Sequence, residues 1–288
     1  DHQADFLILE VGLGGRFDAT NVIKKKKFAA ITPISIDHQD YLGSSLSQIA
    51  FEKLGILNSK SINIINQQKP QVIKFIKEQL NKRKLKAQIF KHNWTIRSDT
   101  YFSKQVKINL SKLSLLGKHQ KFNAGLAIHL AKNILKDNFH ISATEKALEK
   151  CQWPGRLQLI DKGSIPKKIF KYKDIYLDGF HNIDGMKVLV ESLKSNKKIL
   201  ICSFLNNKKY RSMLSNLSKK FQKIIVVKMN EENSITEKNL PVNLSLAYAK
   251  SLKESFLLIN KFSTSQTSVY FGGSLYFIGE VLKMNKTN

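Results

Sequence analysis

The sequence has little that would tie it to an oxidising compartment, a membrane or a nucleotide through a short familiar motif. Its 288 residues include two cysteines, Cys151 and Cys202, with none of the paired spacing of a zinc site or a disulfide framework. A reducing, cytoplasmic setting is therefore expected. No apolar run approaches the roughly 20 residues of a membrane-spanning helix, so no membrane partner is expected. The P-loop pattern ending in Gly-Lys-Ser/Thr is missing, since the nearest candidate, Gly117-Lys118, is followed by His119. A dinucleotide fingerprint is incomplete too: Gly12 and Gly14 fit G-x-G-x-x-G, but its last position is Phe17. Arginine is scarce, because among 48 basic residues only Arg16, Arg83, Arg97, Arg156 and Arg211 are arginines. That scarcity tells against specific nucleic-acid recognition, where bidentate arginine contacts lead.

What the chain has in abundance is lysine, and the formal charge reaches +26. The lysines are spread over helices, strands and turns rather than gathered in a stripe. The longest run, Lys24–Lys27, reads as a solvated turn between strands. Net charge of this kind bears on solubility and non-specific attraction, not on fold. At 42% hydrophobic, the chain can build a sizeable core in one or two domains.

Strand-like and helix-like stretches alternate, the mark of α/β architecture. Apolar strands are expected at Phe6–Val11 and Phe28–Ile36, a helix at Leu46–Leu57, a strand at Lys60–Asn66 and a helix from Pro70. Between Leu85 and Leu115 a period of two without helices predicts a small antiparallel sheet. Helices follow at Lys118–Leu135 and Ile141–Lys150, the second introduced by a Ser142/Glu145 capping box. The Pro-Gly in "CQWPGR" makes 151–156 a domain joint, giving domains 1–150 and 151–288. The second domain reads as a smaller Rossmann-like unit. Its strands are expected near Ile169–Leu177, Lys198–Phe204, Lys223–Met229 and Ser268–Phe271. Its helices are expected near Asp184–Ser195, Lys209–Lys219, Asn243–Leu252 and Ser274–Met284. The chain lacks an initiator Met and a signal peptide and enters a strand-like run within a few residues, so an upstream segment is expected.

The chemistry-bearing residues sit at strand ends. Glu10 interrupts an apolar run just before the glycines. A carboxylate at the carboxyl end of a parallel strand faces the crevice where α/β proteins bind ligands, and is costly there unless paired or on a metal. It reads equally as a solvated glutamate beside a turn. Asp37 and His38 end the next strand, and Glu52 and Lys53 lie on a short helix beyond it. Carboxylates, a histidine and water would suit Mg²⁺ shared with phosphates. "FGGSLYFIG" offers Gly272-Gly273-Ser274 before a helix, either a phosphate loop or a plain helix start.

Six motifs occur in order: "EVGLGGRFDATNVI", "SIDHQDYLG", "IAFEKLGIL", "LLGKHQKFNAGLAI", "WPGRLQLI" and "LDGFHNIDG". In order and approximate spacing they resemble folylpolyglutamate synthase/dihydrofolate synthase, a branch of the Mur ligase superfamily, across essentially the whole chain. The resemblance implies an incomplete Mur-ligase-like P-loop ATPase domain with a small antiparallel sheet, followed by the Rossmann-like domain. The family's P-loop would lie upstream of Asp1, and the 288 residues alone would then be nearly inactive. The implied activity is ATP-dependent addition of L-glutamate to dihydropteroate, to reduced folates, or to both. The implied cofactors are ATP and Mg²⁺, the implied state a monomer.

The resemblance also implies roles. Glu10 and His38 would ligate Mg²⁺, and Lys53, otherwise an ordinary exposed helix lysine, would be carried as a carbamate. Phe17, Asp18 and Ala19 would border the pterin, and Asn123 would contact ATP. Arg156 and Asp178 would reach the nucleotide across an interdomain cleft, with His181 and Asn182 holding phosphates or the incoming glutamate. On the residues alone Arg156 reads as a helix cap, and Asp178 and His181 as a turn. Two departures stand out. Asn207 and Lys209 replace an acidic segment, and the usual proline after Asn182 is absent.

Overall fold

The computed structural model describes residues 3–23, 25–104, 106–193 and 195–286, so Lys24, the first of the lysine run, lies outside it. The chain divides into two compact units, residues 1–113 with 119–150 and residues 114–118 with 151–288. Residues 114–118, which the sequence groups with the first half, thus go with the second.

The first unit opens without the strand expected at 6–11. Phe6, Leu7, Ile8 and Leu9 are exposed and belong to no ladder. Strand β1 (Phe28–Ile31) is followed by helices α1 (Gln39–Leu42) and α2 (Leu46–Lys53), strand β2 (Ile62–Ile65), helix α3 (Pro70–Lys82) and strand β3 (Ala87–Ile89). The three strands form a parallel sheet in the order β1-β2-β3. Its strands alternate between two cores. Ile31 and Ile65 pack with α2 and α3, whereas Ile64 faces the other cluster, built on Trp94, Tyr101 and Ile108. Burial on both faces explains why these strands read as continuous apolar runs. Helix α3 starts with Pro70 in its first turn, where the missing N–H costs nothing.

The expected antiparallel sheet is present as β4 (Trp94–Arg97), β5 (Thr100–Ser103) and β6 (Val106–Asn109), and β3 joins the parallel sheet instead. Helices α4 (Lys118–Leu135) and α5 (Ile141–Lys150) complete the unit. Ser142 lies inside α5 rather than at its cap, and Glu145 accepts the Asn109 N–H at 3.3 Å instead of closing a capping box.

The second unit runs β7 (Gln158–Leu159), α6 (Ser164–Lys168), β8 (Asp174–Asp178), α7 (Ile183–Ser192), β9 (Lys198–Ser203), α8 (Tyr210–Ser218), β10 (Lys223–Val227), β11 (Leu246–Ala249), α9 (Leu252–Phe262), β12 (Ser268–Gly273) and α10 (Leu275–Lys286). The sheet order is β11-β10-β9-β12-β8-β7, parallel except for β7. Ile199, Ile201, Ile225 and Val227 fill one face, and Leu200, Cys202, Ile224 and Val226 the other. The helix expected at Asn243–Leu252 is a correction. Residues 246–249 extend the sheet, and the helix begins only after Ser251, whose hydroxyl accepts the Glu254 N–H. That cap is a stronger start signal than the apolar spacing that suggested the earlier helix.

Candidate functional site

The glycine-rich stretch after Glu10 is a loop pressed onto the C-terminal end of α2. Helix α2 starts at a reciprocal Ser45/Gln48 capping box and ends in a tight turn at 54–56. Arg83 braces that turn, donating to the carbonyl oxygens of Leu54, which also accepts the Leu57 N–H, and of Leu57, at 2.8 Å each. The loop lies against the same turn. The Arg16 N–H donates to the Glu52 carbonyl at 2.8 Å, and Asn21 donates to the carbonyls of Arg16 and Gly55. A β-carbon on Gly15 would meet the Glu52 and Lys53 carbonyl oxygens at 3.1 Å, and one on Gly55 would sit 2.3 Å from the Arg16 β-carbon. The glycines therefore allow two backbones to touch.

Asp18 staples the loop. Its carboxylate accepts the Leu13 N–H, the Thr20 N–H and the Thr20 hydroxyl, and these bonds hold its pKa down at about 2. Its neighbours point outward. Phe17 is 81% exposed, with the Arg16 guanidinium 4.3 Å from its ring centre and 5.3 Å from that of Phe51. Ala19 is exposed as well. Arg16 also pairs with Glu52 at 3.5 Å.

Between this loop, the end of β1 and α2 lies a cavity of about 180 Å³, lined by Gly12, Gly14, Ser35, Asp37, His38 and Lys53 among others. Lys53 is half-buried, which corrects the reading of an ordinary surface lysine. Burial lowers its pKa, opposed in part by the Asp37 carboxylate. His38 sits at the start of α1 with φ +50°, and its N–H donates to the Asp37 side chain at 2.9 Å. Such a left-handed, non-glycine position is uncommon and turns the ring out of the strand direction. Glu10 is exposed and does not line this cavity. The costly buried carboxylate expected there is thus absent, because the strand meant to bury it does not form. Among the described residues no three His, Cys, Asp or Glu side chains come together as a metal centre. The structure joins His38 and Lys53 but leaves Glu10 apart from them. Asn123 lies exposed on α4, its amide donating to Gln120 at 3.0 Å.

The second unit has its own cluster, at the carboxyl end of β8. Arg156 donates to the Gly179 carbonyl at 3.3 Å, and the His181 ring nitrogen Nδ1 lies 3.2 Å from the same oxygen. Asp178 accepts the Leu157 N–H at 2.9 Å, while the Gly179 N–H donates to Gly155. Arg156, Asp178 and His181, separated by up to 25 positions in sequence, thus meet around one peptide. Burial raises the Asp178 pKa to about 6 despite the Leu157 bond and the nearby Arg156. Asn182 caps α7 through the Gly185 N–H. In "FGGSLYFIG", Ser274 accepts the Tyr276 N–H at 3.3 Å, so its hydroxyl caps α10. What sequence reasoning underrated is the Arg16–Glu52 clamp; its signal was the position of both residues beside the glycines that touch.

Residues 1–131 match the Mur ligase middle domain family. The chain is 30% identical over 305 aligned positions to the dihydrofolate synthase/folylpolyglutamate synthase of Bacillus subtilis strain 168, covering 99% of this chain and 68% of that protein. The chain belongs to this family. A putative folylpolyglutamate synthase of Dictyostelium discoideum is 32% identical over 228 positions, where the match spans 68% of this chain but only 36% of the relative. The fold agrees. A Mycobacterium tuberculosis folylpolyglutamate synthase complexed with ADP and AMPPCP superposes with a TM-score of 0.81 at 23% identity, covering 96% of this chain and 68% of that one. Family membership sets aside a dinucleotide-binding enzyme and a nucleic-acid binder as accounts of the main activity.

Proposed function

We propose that the protein is an ATP-dependent carbon–nitrogen ligase adding L-glutamate to dihydropteroate, to reduced folates, or to both. The observation that carries this reading is the cavity that gathers Asp37, His38 and the half-buried Lys53 beneath the glycine loop, in a chain of this family. In the reaction, the substrate carboxylate attacks the γ-phosphorus of ATP, giving an acyl phosphate and ADP. The glutamate amine attacks the acyl carbon, the tetrahedral intermediate collapses, and phosphate leaves with the electron pair of the broken C–O bond.

Lys53 is suited to a role beyond that of a cation. Burial favours its neutral amine, the form that can take up CO₂ as a carbamate and become an oxygen-donor anion. Mg²⁺ binds through one or two protein groups plus waters and phosphates, so His38, with Asp37 beside it in the cavity, fits such a shared ion, while Glu10, which does not line the cavity, is proposed as a ligand on the family resemblance alone. When bound, Mg²⁺ would offset charge on the transferring phosphoryl group. Phe17, Asp18 and Ala19 are proposed to border the pterin. Of these, Phe17 offers a face for the ring, and Asp18 fixes the loop that presents it. Asn123, Arg156 and Asp178 are proposed to contact the nucleotide and His181 to orient phosphate or glutamate. We propose further that the protein acts as a cytoplasmic monomer.

The test is ADP release by the natural protein with ATP, Mg²⁺ and L-glutamate, in the presence of dihydropteroate or a reduced folate, with the product identified by mass. Dependence of ADP release on those acceptors is expected, with at least a hundredfold loss in Lys53→Met. ADP release only with an unrelated amino-acid acceptor would point to another Mur-type ligase and refute the folate assignment.

A further inference from the structure

One surface of the second unit carries none of the residues assigned above to the reaction. Helix α9 exposes a stripe of Lys253, Leu257 and Lys261 at spacings of four, so the three project from one face about 6 Å apart along the axis. Leu257 is 72% exposed although it stands mid-helix. One turn on, Asn260 grips the connection between α6 and β8 at two points. Its Oδ1 accepts the Phe170 N–H, and its Nδ2 donates to the Lys168 carbonyl, both at 2.9 Å. This ties the Phe170 backbone to α9, three residues from Leu257 in the helix, with the Phe170 side chain 80% exposed. The end of α6 and this connection carry Lys167, Lys168 and Lys171, all exposed.

Carboxylates are sparse in these two segments. Residues 164–173 contain none, and the one acid of α9, Glu254, accepts the Lys250 N–H at 2.7 Å in capping its own helix. Two large apolar side chains and five ammonium groups are thus exposed on two segments that the Asn260 amide ties together.

We propose that this face docks on the surface of an anionic lipid bilayer. Lysines near such a surface contribute about 1 kcal/mol each, and their long stems let the heads stay at the phosphates while Phe170 and Leu257 enter the acyl boundary. Leu257 decides between partners. A phenylalanine can stack on a base, but a leucine gains nothing from a phosphate backbone, whereas both gain at an acyl boundary. The expectation that no membrane is involved rested on the lack of spanning segments. No described helix is long and apolar enough to cross a bilayer, and peripheral docking requires none.

The test is co-sedimentation of the full chain, at physiological salt, with vesicles of phosphatidylcholine alone or with a minority of phosphatidylserine. Binding is expected only with phosphatidylserine. Phe170→Ser/Leu257→Ser, which leaves the charge unchanged, should weaken it about tenfold. Lys253→Gln/Lys261→Gln should weaken it more than the equally charged Lys74→Gln/Lys82→Gln on α3. Circular dichroism should be the same for all variants, as every replaced side chain is exposed. The proposal is overturned if anionic vesicles are not bound, if the serine variant binds as well as the wild type, or if both lysine pairs lose binding equally. It is also overturned if an RNA homopolymer or poly-glutamate, but not the vesicles, is bound in a way the serine variant abolishes.

Discussion

Acid should weaken the first unit through His129. This histidine is 5% exposed in the core between α4 and the antiparallel sheet, with its ring stacked on Trp94. Tyr101 Oη lies 2.8 Å from Nδ1, and Gln88 Oε1 lies 2.5 Å from Nε2. Asn133 exchanges bonds with Gln88 in both directions, which sets the Gln88 oxygen toward the histidine. The consistent assignment is a neutral ring that donates from Nε2 and accepts the Tyr101 hydroxyl at Nδ1. A second proton would put a charge in an apolar core and turn Nδ1 from acceptor to donor. Burial, and then the Lys132 cation, lower the pKa from 6.5 to about 4.

The folded value lies below the unfolded one. Above about pH 6.5 both states are neutral and the group adds no pH dependence. As pH falls from 6.5 to 4, the unfolded chain takes a proton that the folded chain refuses. Stability then drops by up to about 3 kcal/mol, from 2.5 units at about 1.4 kcal/mol each. The assay is urea unfolding from pH 7.5 to about 4, followed by Trp94 fluorescence in a Trp153→Phe background, with and without His129→Phe. The variant should be less stable at neutral pH by about 1–3 kcal/mol, since Tyr101 and Gln88 lose their partner. The two curves should converge as the pH falls. Parallel curves across that window would refute the reasoning.

Three other outcomes follow from the same physics. Gly55→Ala should cost about 1–3 kcal/mol, since its methyl would sit 2.3 Å from the Arg16 β-carbon, and amide exchange at residues 12–18 should quicken as the loop lifts. Asp18→Ala should free the Leu13 and Thr20 amides to exchange. In the wild type the same loosening should appear only as pH falls from about 4 through 2, because the folded pKa is depressed. Asp178→Asn should leave the second unit at least as stable at pH 7 while lowering ligase activity. The folded pKa of Asp178 is raised to about 6, so ionising it costs stability as pH climbs from about 4 through 6; thermal melts of both proteins across that range check the sign.

The parts of this protein that were legible in its sequence are those where neighbouring residues decide the outcome. Continuous apolar runs became β9 and β10, and Pro70 opened α3. The capping signals worked where a side chain reached its own helix, as at Ser45 and Ser251, and failed at Ser142, where Glu145 found a distant backbone partner. The site was legible in part for the same reason. Lys53, His38 and the glycines lie on adjoining elements and meet in one cavity, but that Lys53 is half-buried depends on a loop 38 residues earlier pressing on Gly55. Residues 6–11 mark the limit. "FLILEV" has the composition of a central strand, yet composition supplies only one side of a ladder. A strand forms where adjacent backbones offer paired donors and acceptors, and among the described residues β1 pairs with β2 alone. The outer edge of β1 carries no partner among the described residues, yet residues 6–9 lie off it and exposed, and Glu10, read as a buried acid at a strand end, is exposed with them.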